Sequence, residues 1–257
     1  MTYKHKKRFG QHFLHDSEVL DNIVESADLK ENDIVWEIGP GMGALTDKLL
    51  EKKVNLTIFE IDNDLIPVLN KKYSNKCNII HQDILKINWK ERLKDNKVKI
   101  VSNLPYQISS PLLYKVTENY SSFDMIVLML QKEVAKRLCA NPGKKDYGVL
   151  TLKTQYFFNT EFLFVVTPDK FTPSPAVSSG VIKMTPRENK NLIYNKESFW
   201  NLIEAAFRNR RKTLRNNLIA HSISTDTLDS TLCPINLSRR GETLSEEEFI
   251  TLHDFIY

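Results

Sequence analysis

Hydrophobic and polar positions in the first half of the chain follow two alternating periods. Short apolar runs rich in β-branched residues predict buried strands at 34–38, 55–59, 78–81, 98–101 and 123–130. Between most of them, apolar residues recur every three to four positions, which predicts helices near 17–26, 44–52, 65–73 and 131–138. Strands that alternate with helices predict an α/β fold with a mostly parallel sheet.

The pattern changes towards the C-terminus. Two further strands are predicted at 162–166 and 180–184, separated by a proline-rich segment, 171–175, that is not expected to form regular structure. After the polar run 187–191 only helical periodicity remains, including a helix around 198–220 and a last helix opened by the capping box of Ser245 and Glu248. We therefore predict two domains, residues 1–187 and 188–257.

Polar residues stand at the ends of four successive predicted strands, each about 20 residues after the last. They are Glu37, Glu60, Asp83 and Asn103. In a parallel sheet the carboxyl ends of the strands meet at one edge, and ligands bind in the crevice beyond that edge. Any one of these residues alone could be a solvated strand end, but the repetition predicts a binding site.

A glycine turn follows the first of these strands. Gly39 and Gly41 would let the backbone approach a ligand closely, and the next helix would offer free N–H groups. The same turn also fits a plain strand-to-helix connection or a dinucleotide site. Glu37 is not part of the dinucleotide fingerprint and could meet a positively charged ligand group.

The next two strand ends suggest a nucleoside. Glu60 could accept hydrogen bonds from both hydroxyls of a ribose, as the matching acid does in nucleotide-binding α/β folds. Asp83 could accept an adenine amine while Ile84 packs on the ring.

The fourth strand ends in Asn103, Leu104, Pro105 and Tyr106. Pro105 cannot donate to a ladder, so the strand stops there and leaves a stiff loop. Asn103 Oδ1 and a loop carbonyl could accept the two N–H bonds of an exocyclic amine, and Tyr106 could stack on the ring. Such acceptors would localise the lone pair of an adenine N6, which is otherwise delocalised. A proline-terminated strand with a capping Asn and a packed Tyr is the simpler alternative.

Composition narrows the possible classes of protein. The chain has 257 residues, 41% hydrophobic and 26% charged, as in ordinary globular proteins. Its three cysteines are far apart without metal-ligand spacing, and it has no signal-like or membrane-spanning apolar run, so we expect a cytoplasmic protein without a metal.

The net charge of +4 is small, so nucleic-acid binding has to be judged from local clusters. The opening segment carries Lys6, Lys7 and Arg8 next to aromatic residues, which fits a basic arm on phosphates or a solvated terminus. A second group, here called the cationic cluster, follows one face of the predicted helix 198–220. It comprises Arg208, Arg211, Lys212 and Arg215. We interpret it as a phosphate-contacting surface rather than a solvated face.

Taken together, the motifs closely resemble the KsgA/RsmA family of S-adenosylmethionine-dependent small-subunit (16S) rRNA adenine N6,N6-dimethyltransferases. The matching stretches are Gly10-Gln11-His12-Phe13-Leu14-His15-Asp16, Glu37-Ile38-Gly39-Pro40-Gly41, Phe59-Glu60-Ile61-Asp62, Gln82-Asp83-Ile84, Asn103-Leu104-Pro105-Tyr106 and Phe171-Thr172-Pro173-Ser174-Pro175-Ala176-Val177. The resemblance runs from the arm to the last helix.

This resemblance implies a Rossmann-like class I methyltransferase fold with a mostly parallel seven-stranded sheet, plus a small all-helical C-terminal domain that binds RNA. It implies that a cofactor, S-adenosylmethionine, contacts His12, Leu14, Gly39, Glu60, Asp83 and Asn103. It also makes Phe171 the second face of an adenine sandwich opposite Tyr106. One departure is His12, where the family usually has Asn.

The implied reaction is dimethylation of N6 on two adjacent adenosines in the 3′-terminal hairpin loop of 16S rRNA, within a small-subunit particle. We expect a monomer. Two alternatives remain: an Erm-type methyltransferase of 23S rRNA, against which the Gly-Gln-His-Phe-Leu arm and Leu104 argue, and a largely non-catalytic assembly or RNA-binding factor, which the intact Asn103 to Tyr106 loop disfavours.

Overall fold

The computed structural model describes residues 11–94, 96–188, 193, 195–224, 228 and 230–257. The chain forms two compact units. The first comprises Met1–Lys136 and Phe157–Arg187, and the second comprises Arg137–Tyr156 and Glu188–Tyr257. One division thus falls between residues 187 and 188. The segment 137–156, which the sequence analysis assigned to the first domain, packs within the second unit.

The described part of the first unit contains nine strands, of which seven form one large sheet. In chain order the strands are β1 (Phe13–Leu14), β2 (Ile34–Ile38), β3 (Asn55–Glu60), β4 (Asn78–His81), β5 (Val98–Asn103), β6 (Phe123–Gln131), β7 (Phe158–Val166), β8 (Phe171–Thr172) and β9 (Ser179–Pro186). The large sheet has the order β4-β3-β2-β5-β6-β9-β7, and β9 runs opposite to the other six strands. This confirms the predicted mostly parallel sheet.

The strand order reverses between β2 and β5, because β3 and β4 extend the sheet on one side of β2 while β5 and β6 extend it on the other. Ligands of open α/β sheets bind in the crevice that such a reversal leaves at the carboxyl ends of the strands. All four predicted polar residues lie within two residues of the carboxyl ends of β2, β3, β4 and β5.

Helices connect the parallel strands. In the first unit they are α1 (Ser17–Ser26), α2 (Ala44–Leu50), α3 (Ile66–Tyr73), α4 (Trp89–Leu93) and α5 (Ser109–Glu118). Asp16 starts α1, because its side chain accepts a hydrogen bond from the Val19 N–H. Two more helices, α6 (Lys132–Leu138) and α7 (Val149–Phe157), run across the divisions between the two units.

A hydrophobic core fixes the central strands. Val35, Ile58 and Val101 on one face of the sheet are fully buried, as are Ile23 of α1 and Leu49 of α2. Each such side chain stabilises the fold by about 1.5–3 kcal/mol through burial. The strand ends therefore project their polar residues from a rigid base.

Two short strands, β1 and β8, form a separate antiparallel pair that the sequence did not predict. Leu14 pairs with Phe171, and Phe13 with Thr172. The expectation that the proline-rich segment has no regular structure is therefore wrong for Phe171–Thr172. The pairing joins residues more than 150 positions apart, so local periodicity carries no signal for it.

The second unit is helical in its described part. Besides most of α7 it contains α8 (Lys196–Phe207), α9 (Leu214–Ile219) and α10 (Glu246–Ile256). The predicted capping box at Ser245 and Glu248 is present. Among the described residues, no helix is sufficiently long and apolar to span a bilayer.

The single helix predicted around 198–220 is wrong, because the structure breaks it into α8 and α9. Thr213 caps α9 by accepting a hydrogen bond from the Asn216 N–H. The buried Asn217 side-chain amide donates to the carbonyls of Ala206 and Asn209, which ties the end of α8 to α9. The two hydrogen bonds from Asn217 take the place of helical hydrogen bonds at the turn. The spacing of apolar residues, on which the prediction of one helix was based, carries no information about such polar contacts.

Candidate active site

The carboxyl ends of the central strands surround a cavity of about 200 Å³ in the first unit. Every residue that the sequence analysis assigned to catalysis or cofactor binding lines it. These residues are His12, Leu14, Glu37, Gly39, Gly41, Glu60, Asp83, Ile84, Asn103, Leu104, Pro105, Tyr106 and Phe171. Residues scattered from position 12 to position 171 of the sequence thus meet in one place.

The glycine turn after β2 is shaped for close approach. Gly41 has a φ of +59°, and a Cβ atom there would lie 2.7 Å from Phe13 Cε1. Gly43 has a φ of +85°, and its Cβ would lie 2.2 Å from the Tyr73 hydroxyl oxygen. Both positions require glycine for conformation and for space. Two aromatic side chains therefore pack against the turn: Tyr73 at Gly43, and Phe13, which also lines the cavity, at Gly41.

Glu60 is held by the backbone that follows it. Its Oε1 accepts hydrogen bonds from the N–H groups of Ile61 and Asp62, each at 2.8 Å. The residue is 5% exposed, and burial raises the pKa of its carboxyl. Asp62 in turn accepts a hydrogen bond from the Gln11 side-chain amide at 2.9 Å, which connects this loop to the segment before β1.

Glu37 is buried more deeply, with 1% of its surface exposed. The Thr46 hydroxyl donates to its Oε2 at 2.6 Å. Burial raises the pKa of Glu37 to about 8, and the negative charges of Glu60 and Asp47 act in the same direction. The carboxyl group is therefore largely protonated at neutral pH in the protein alone, whereas the sequence suggested a charged group facing the ligand.

Asp83 lies at the cavity in a turn that follows β4. Its Oδ1 accepts a hydrogen bond from the Leu85 N–H at 3.0 Å. The Ile84 carbonyl accepts one from the Trp89 indole N–H at 2.8 Å, so the loop is anchored to α4. Ile84 is buried and presents an apolar wall beside the carboxylate.

The Asn103 loop is fixed at both ends. The Leu104 N–H donates to the Met129 carbonyl of β6, and the Ile108 N–H donates to the Pro105 carbonyl. A Cβ at Gly39, whose φ is +69°, would lie 3.1 Å from Pro105 Cδ, so this loop and the glycine turn are in close contact. Asn103 is half-buried at the end of β5, beside the turn that carries Gly39 and Gly41.

Aromatic residues close the other side of the cavity. Phe171 is 4% exposed and packs in the hydrophobic core with Leu14, its partner in the β1–β8 pair. The His12 ring lies 5.9 Å from the Tyr106 ring, centroid to centroid, with 29° between the planes. His12 Nδ1 lies 2.7 Å from the Pro173 carbonyl oxygen, and since a carbonyl only accepts, Nδ1 carries a proton.

Three residues of this region were missed by the sequence analysis as participants: Gln11, Tyr73 and Ser179. Gln11 belongs to a quoted motif, so its position at the cavity had a signal. Tyr73 lies in α3 with its hydroxyl 2.8 Å from the Gly43 carbonyl, and Ser179 begins β9 with its Oγ 2.8 Å from the Tyr106 hydroxyl. Both contacts join residues that are distant in the sequence, so no sequence pattern indicated them.

The residues predicted to bind RNA are only partly described. Lys6, Lys7 and Arg8 lie outside the described residues. Arg208, Arg211 and Lys212 are exposed on the turn between α8 and α9, and Arg215 is half-buried in α9. The cationic cluster therefore occupies a turn and the following helix rather than one helix face. In the part of the chain that the structure describes, no three acidic, His or Cys side chains are grouped as metal ligands.

The fold and the site together define the class of protein. A mostly parallel seven-stranded sheet that reverses order next to β2, with a glycine turn after that strand and acids at the ends of the next two, is the architecture of class I methyltransferases.

Comparison with known proteins narrows the class to a family. The family model described as ribosomal RNA adenine dimethylase matches residues 2–256. A protein of Clostridium botulinum (strain Okra / Type B1) named ribosomal RNA small subunit methyltransferase A is 41% identical over 262 residues, covering 99% of this chain and 95% of the relative. A protein of the same name from Syntrophotalea carbinolica is 41% identical and covers 100% of this chain and 98% of its own.

Comparison with solved structures gives the same family and fold. A dimethyladenosine transferase from Plasmodium falciparum superposes with a TM-score of 0.78 at 29% identity, covering 94% of this chain and 96% of that chain. The 23S rRNA methyltransferase ErmE shares the fold, with a TM-score of 0.71 at 24% identity over 95% of this chain and 99% of its own. The chain belongs to the ribosomal RNA adenine dimethylase family. This confirms the resemblance read from the motifs, and it makes the chain an S-adenosylmethionine-dependent rRNA adenine dimethyltransferase.

Proposed function

We propose that this protein dimethylates N6 of two adjacent adenosines in the 3′-terminal hairpin loop of 16S rRNA, within a small-subunit particle in the cytoplasm, and that it acts as a monomer. The observation that carries the proposal is the convergence of the strand-end acids and the Asn103 to Tyr106 loop on one cavity, in a chain of this family. The name shared by its relatives supports the small subunit as the source of the substrate.

The cavity fits a nucleoside that carries a positive charge. Glu60 has one carboxylate oxygen fixed by two backbone N–H groups, which orients the group to accept hydrogen bonds from a ribose. Asp83 and Ile84 combine an acceptor with an apolar wall, which suits an adenine ring and its amine. Gly39 and Gly41 let the turn lie directly against Pro105 and Phe13, where a Cβ would be too close, so the backbone of the turn borders the cavity. Bound here, S-adenosylmethionine would supply a methyl group activated by its sulfonium.

Glu37 adds an electrostatic element to this site. Its carboxyl group is protonated near neutral pH because it is buried, yet it lines the same cavity. A cationic ligand would favour the ionised form and lower the pKa of Glu37. We infer that Glu37 acts as a charge partner once a cation is bound, while the Thr46 hydroxyl keeps its orientation fixed.

On the acceptor side, Asn103 Oδ1 would accept one N–H bond of the adenine amine. The Pro105 carbonyl already accepts the Ile108 N–H, so the Leu104 carbonyl is the candidate for the second. Two acceptors would localise the N6 lone pair and aim it along the line of methyl transfer. A neutral Asn would be sufficient: the N6 lone pair would form the new N–C bond as the S–C bond of the cofactor breaks to leave a neutral thioether, and the positively charged N6 would then release its proton to water. Most of the rate acceleration would then come from positioning.

The flipped base would be held by aromatic rings. Tyr106 would stack on one face and Phe171 would close the other, with stacking worth about 1–3 kcal/mol per base. His12 faces Tyr106 and the Pro173 carbonyl, so in this chain we assign it to support of the base platform, although it also lines the cofactor side of the cavity.

The rest of the RNA would be bound outside the cavity, through contacts to its backbone. A-form RNA offers its backbone rather than its deep groove to side chains. Arg208, Arg211 and Lys212, the exposed members of the cationic cluster, suit this contact. We propose the same contact for the half-buried Arg215 and for Lys6, Lys7 and Arg8. Arg210 makes an ion pair with Glu242 at 2.7 Å, so we leave it out of the interface.

The test offers methyl-labelled S-adenosylmethionine to unmethylated 30S particles, 50S particles and naked rRNA, and then maps the labelled base. We expect label on two adjacent adenines of 16S rRNA in the 30S sample. Label in 23S rRNA instead would show an Erm-type enzyme, and binding to 30S particles without label would show an assembly factor; either result would overturn the proposal.

An Asn103→Ala variant tests the assigned chemistry. It should lose methyl transfer almost completely while it binds 30S particles with nearly unchanged affinity. Asn78→Ala, at the exposed start of β4, is the matched control and should keep full activity. Equal loss of transfer and RNA binding in Asn103→Ala would contradict the role of Asn103.

A further inference from the structure

Tyr106 is held through its hydroxyl group as well as its ring. The oxygen lies 2.8 Å from Ser179 Oγ, within hydrogen-bond distance, and either group can donate. Tyr106 is half-buried, and burial raises the pKa of its phenol, so the hydroxyl keeps its proton at physiological pH. Because the hydroxyl oxygen lies on the long axis of the ring, the contact fixes the far end of the ring, and the side chain cannot swing about its Cα–Cβ bond without breaking it.

Ser179 is a rigid partner for that hydroxyl. It is fully buried at the first position of β9, where its backbone pairs with Gln131 of β6 on one side and Val166 of β7 on the other. The next residue, Gly180, has no space for a Cβ, which would lie 2.8 Å from Ala135 Cβ. The beginning of β9 is therefore fixed laterally by two strands and from above by α6.

We propose that Ser179 is a positioning residue for methyl transfer: by holding the Tyr106 hydroxyl, it fixes the far end of the ring on which the acceptor base stacks, and with it the tilt of the ring. Ser179 acts through Tyr106 and does not touch the reacting atoms. The inference rests on the proposed function, because it gives Tyr106 the role of stacking platform, and it adds a residue that the sequence motifs do not include in the site.

The consequence is geometric. Asn103 and Tyr106 belong to one loop, so the acceptors for the amine and the platform for the ring share a backbone. A base that stacks on a tilted ring presents its amine away from the Asn103 oxygen, and a misplacement of about 1 Å can cost as much as a hundredfold in rate. The hydrogen bond from the Tyr106 hydroxyl to β9 therefore keeps the stacked base aligned with the Asn103 oxygen.

The test is a double-mutant cycle of Ser179→Ala and Tyr106→Phe, measured on unmethylated 30S particles. Each single variant removes one partner of the same neutral hydrogen bond, so we expect kcat to fall about three- to tenfold in each. The double variant should be no slower than the slower single variant, because the second change has nothing left to remove. The Kd for S-adenosylmethionine, from calorimetry, should stay within about twofold of wild type.

Controls separate positioning from folding. Ser178→Ala changes the adjacent serine and should leave kcat unchanged. If Ser179→Ala fails to fold, Tyr106→Phe still tests the same bond, with thermal unfolding to report stability. Multiplicative losses in the double variant, or unchanged kcat in both single variants, would overturn the inference. A wild-type protein that does not methylate 30S particles would instead overturn the proposed function, so the two failures are distinguishable.

Discussion

The buried carboxyl of Glu37 makes the stability of this protein depend on pH in a predictable direction. The perturbation is Glu37→Gln, which keeps an acceptor oxygen for the Thr46 hydroxyl but cannot ionise. In the folded protein the pKa of Glu37 is raised from 4.5 to about 8, mainly because the group is removed from water. In the unfolded chain it returns to its ordinary value.

The sign follows from proton binding. Between about pH 4.5 and about pH 8 the folded state holds a proton on Glu37 that the unfolded state has released, so the free energy of unfolding falls as the pH rises. The loss is about 1.4 kcal/mol for each pH unit and about 5 kcal/mol in all once the pH exceeds 8. Below pH 4.5 the group contributes no penalty.

The assay is urea unfolding of both proteins without cofactor, at pH values from 5 to 9. The stability of the Glu37→Gln variant relative to wild type should grow with pH and reach a plateau above pH 8. The pKa of Glu60 is raised by burial as well. This residue is present in both proteins, but its negative charge adds to the penalty only in wild type, where Glu37 can ionise.

A difference between the two proteins that stays constant from pH 5 to pH 9 would refute the reasoning, because it would mean that Glu37 titrates alike in the folded and unfolded states. Glu91→Gln provides the control. It makes the same chemical change on the exposed surface of α4, and its stability should follow that of wild type throughout.

Three further predictions concern ligands. Gly41→Ala should raise the Kd for S-adenosylmethionine at least tenfold by calorimetry, because its Cβ would collide with Phe13; Gly143→Ala shares the positive φ, has open space and should bind normally. Glu60→Gln should raise the same Kd about tenfold or more, because an amide replaces a charged acceptor, and an unchanged Kd would remove Glu60 from the cofactor site. Neutralising the cationic cluster should reduce the log–log salt slope of RNA binding by about 0.7 per lost phosphate contact, measured by filter binding at several salt concentrations; an unchanged slope would exclude the cluster from the interface.

The sequence predicted the parts of the fold that depend on local pattern. The parallel strands and their polar ends follow from period-two runs and from the residue that stops each run, as Pro105 does for β5. Because parallel strands end at one edge, the meeting of Glu60, Asp83 and Asn103 at one cavity could be inferred without coordinates.

Four features of the structure were not predicted from the sequence, because they depend on contacts between distant segments or on the local environment in the folded protein. The pairing of Leu14 with Phe171 and the hydrogen bond between Tyr106 and Ser179 join distant segments and leave no periodic trace. The break between α8 and α9 is decided by the Thr213 cap, against an apolar pattern that continues through it. The protonated state of Glu37 depends on how much water the fold excludes.

The pairing of β1 with β8 has a consequence for the order in which the enzyme is completed during its own synthesis. A chain emerging from the ribosome exposes residues 13–14 long before residues 171–172 exist, so one wall of the cavity lacks its partner strand until the whole sheet region between them has been translated. Nascent chains that stop earlier can form the first parallel strands, but they lack this wall. An enzyme that acts on ribosomal RNA is thereby assembled as an active unit only late in its translation.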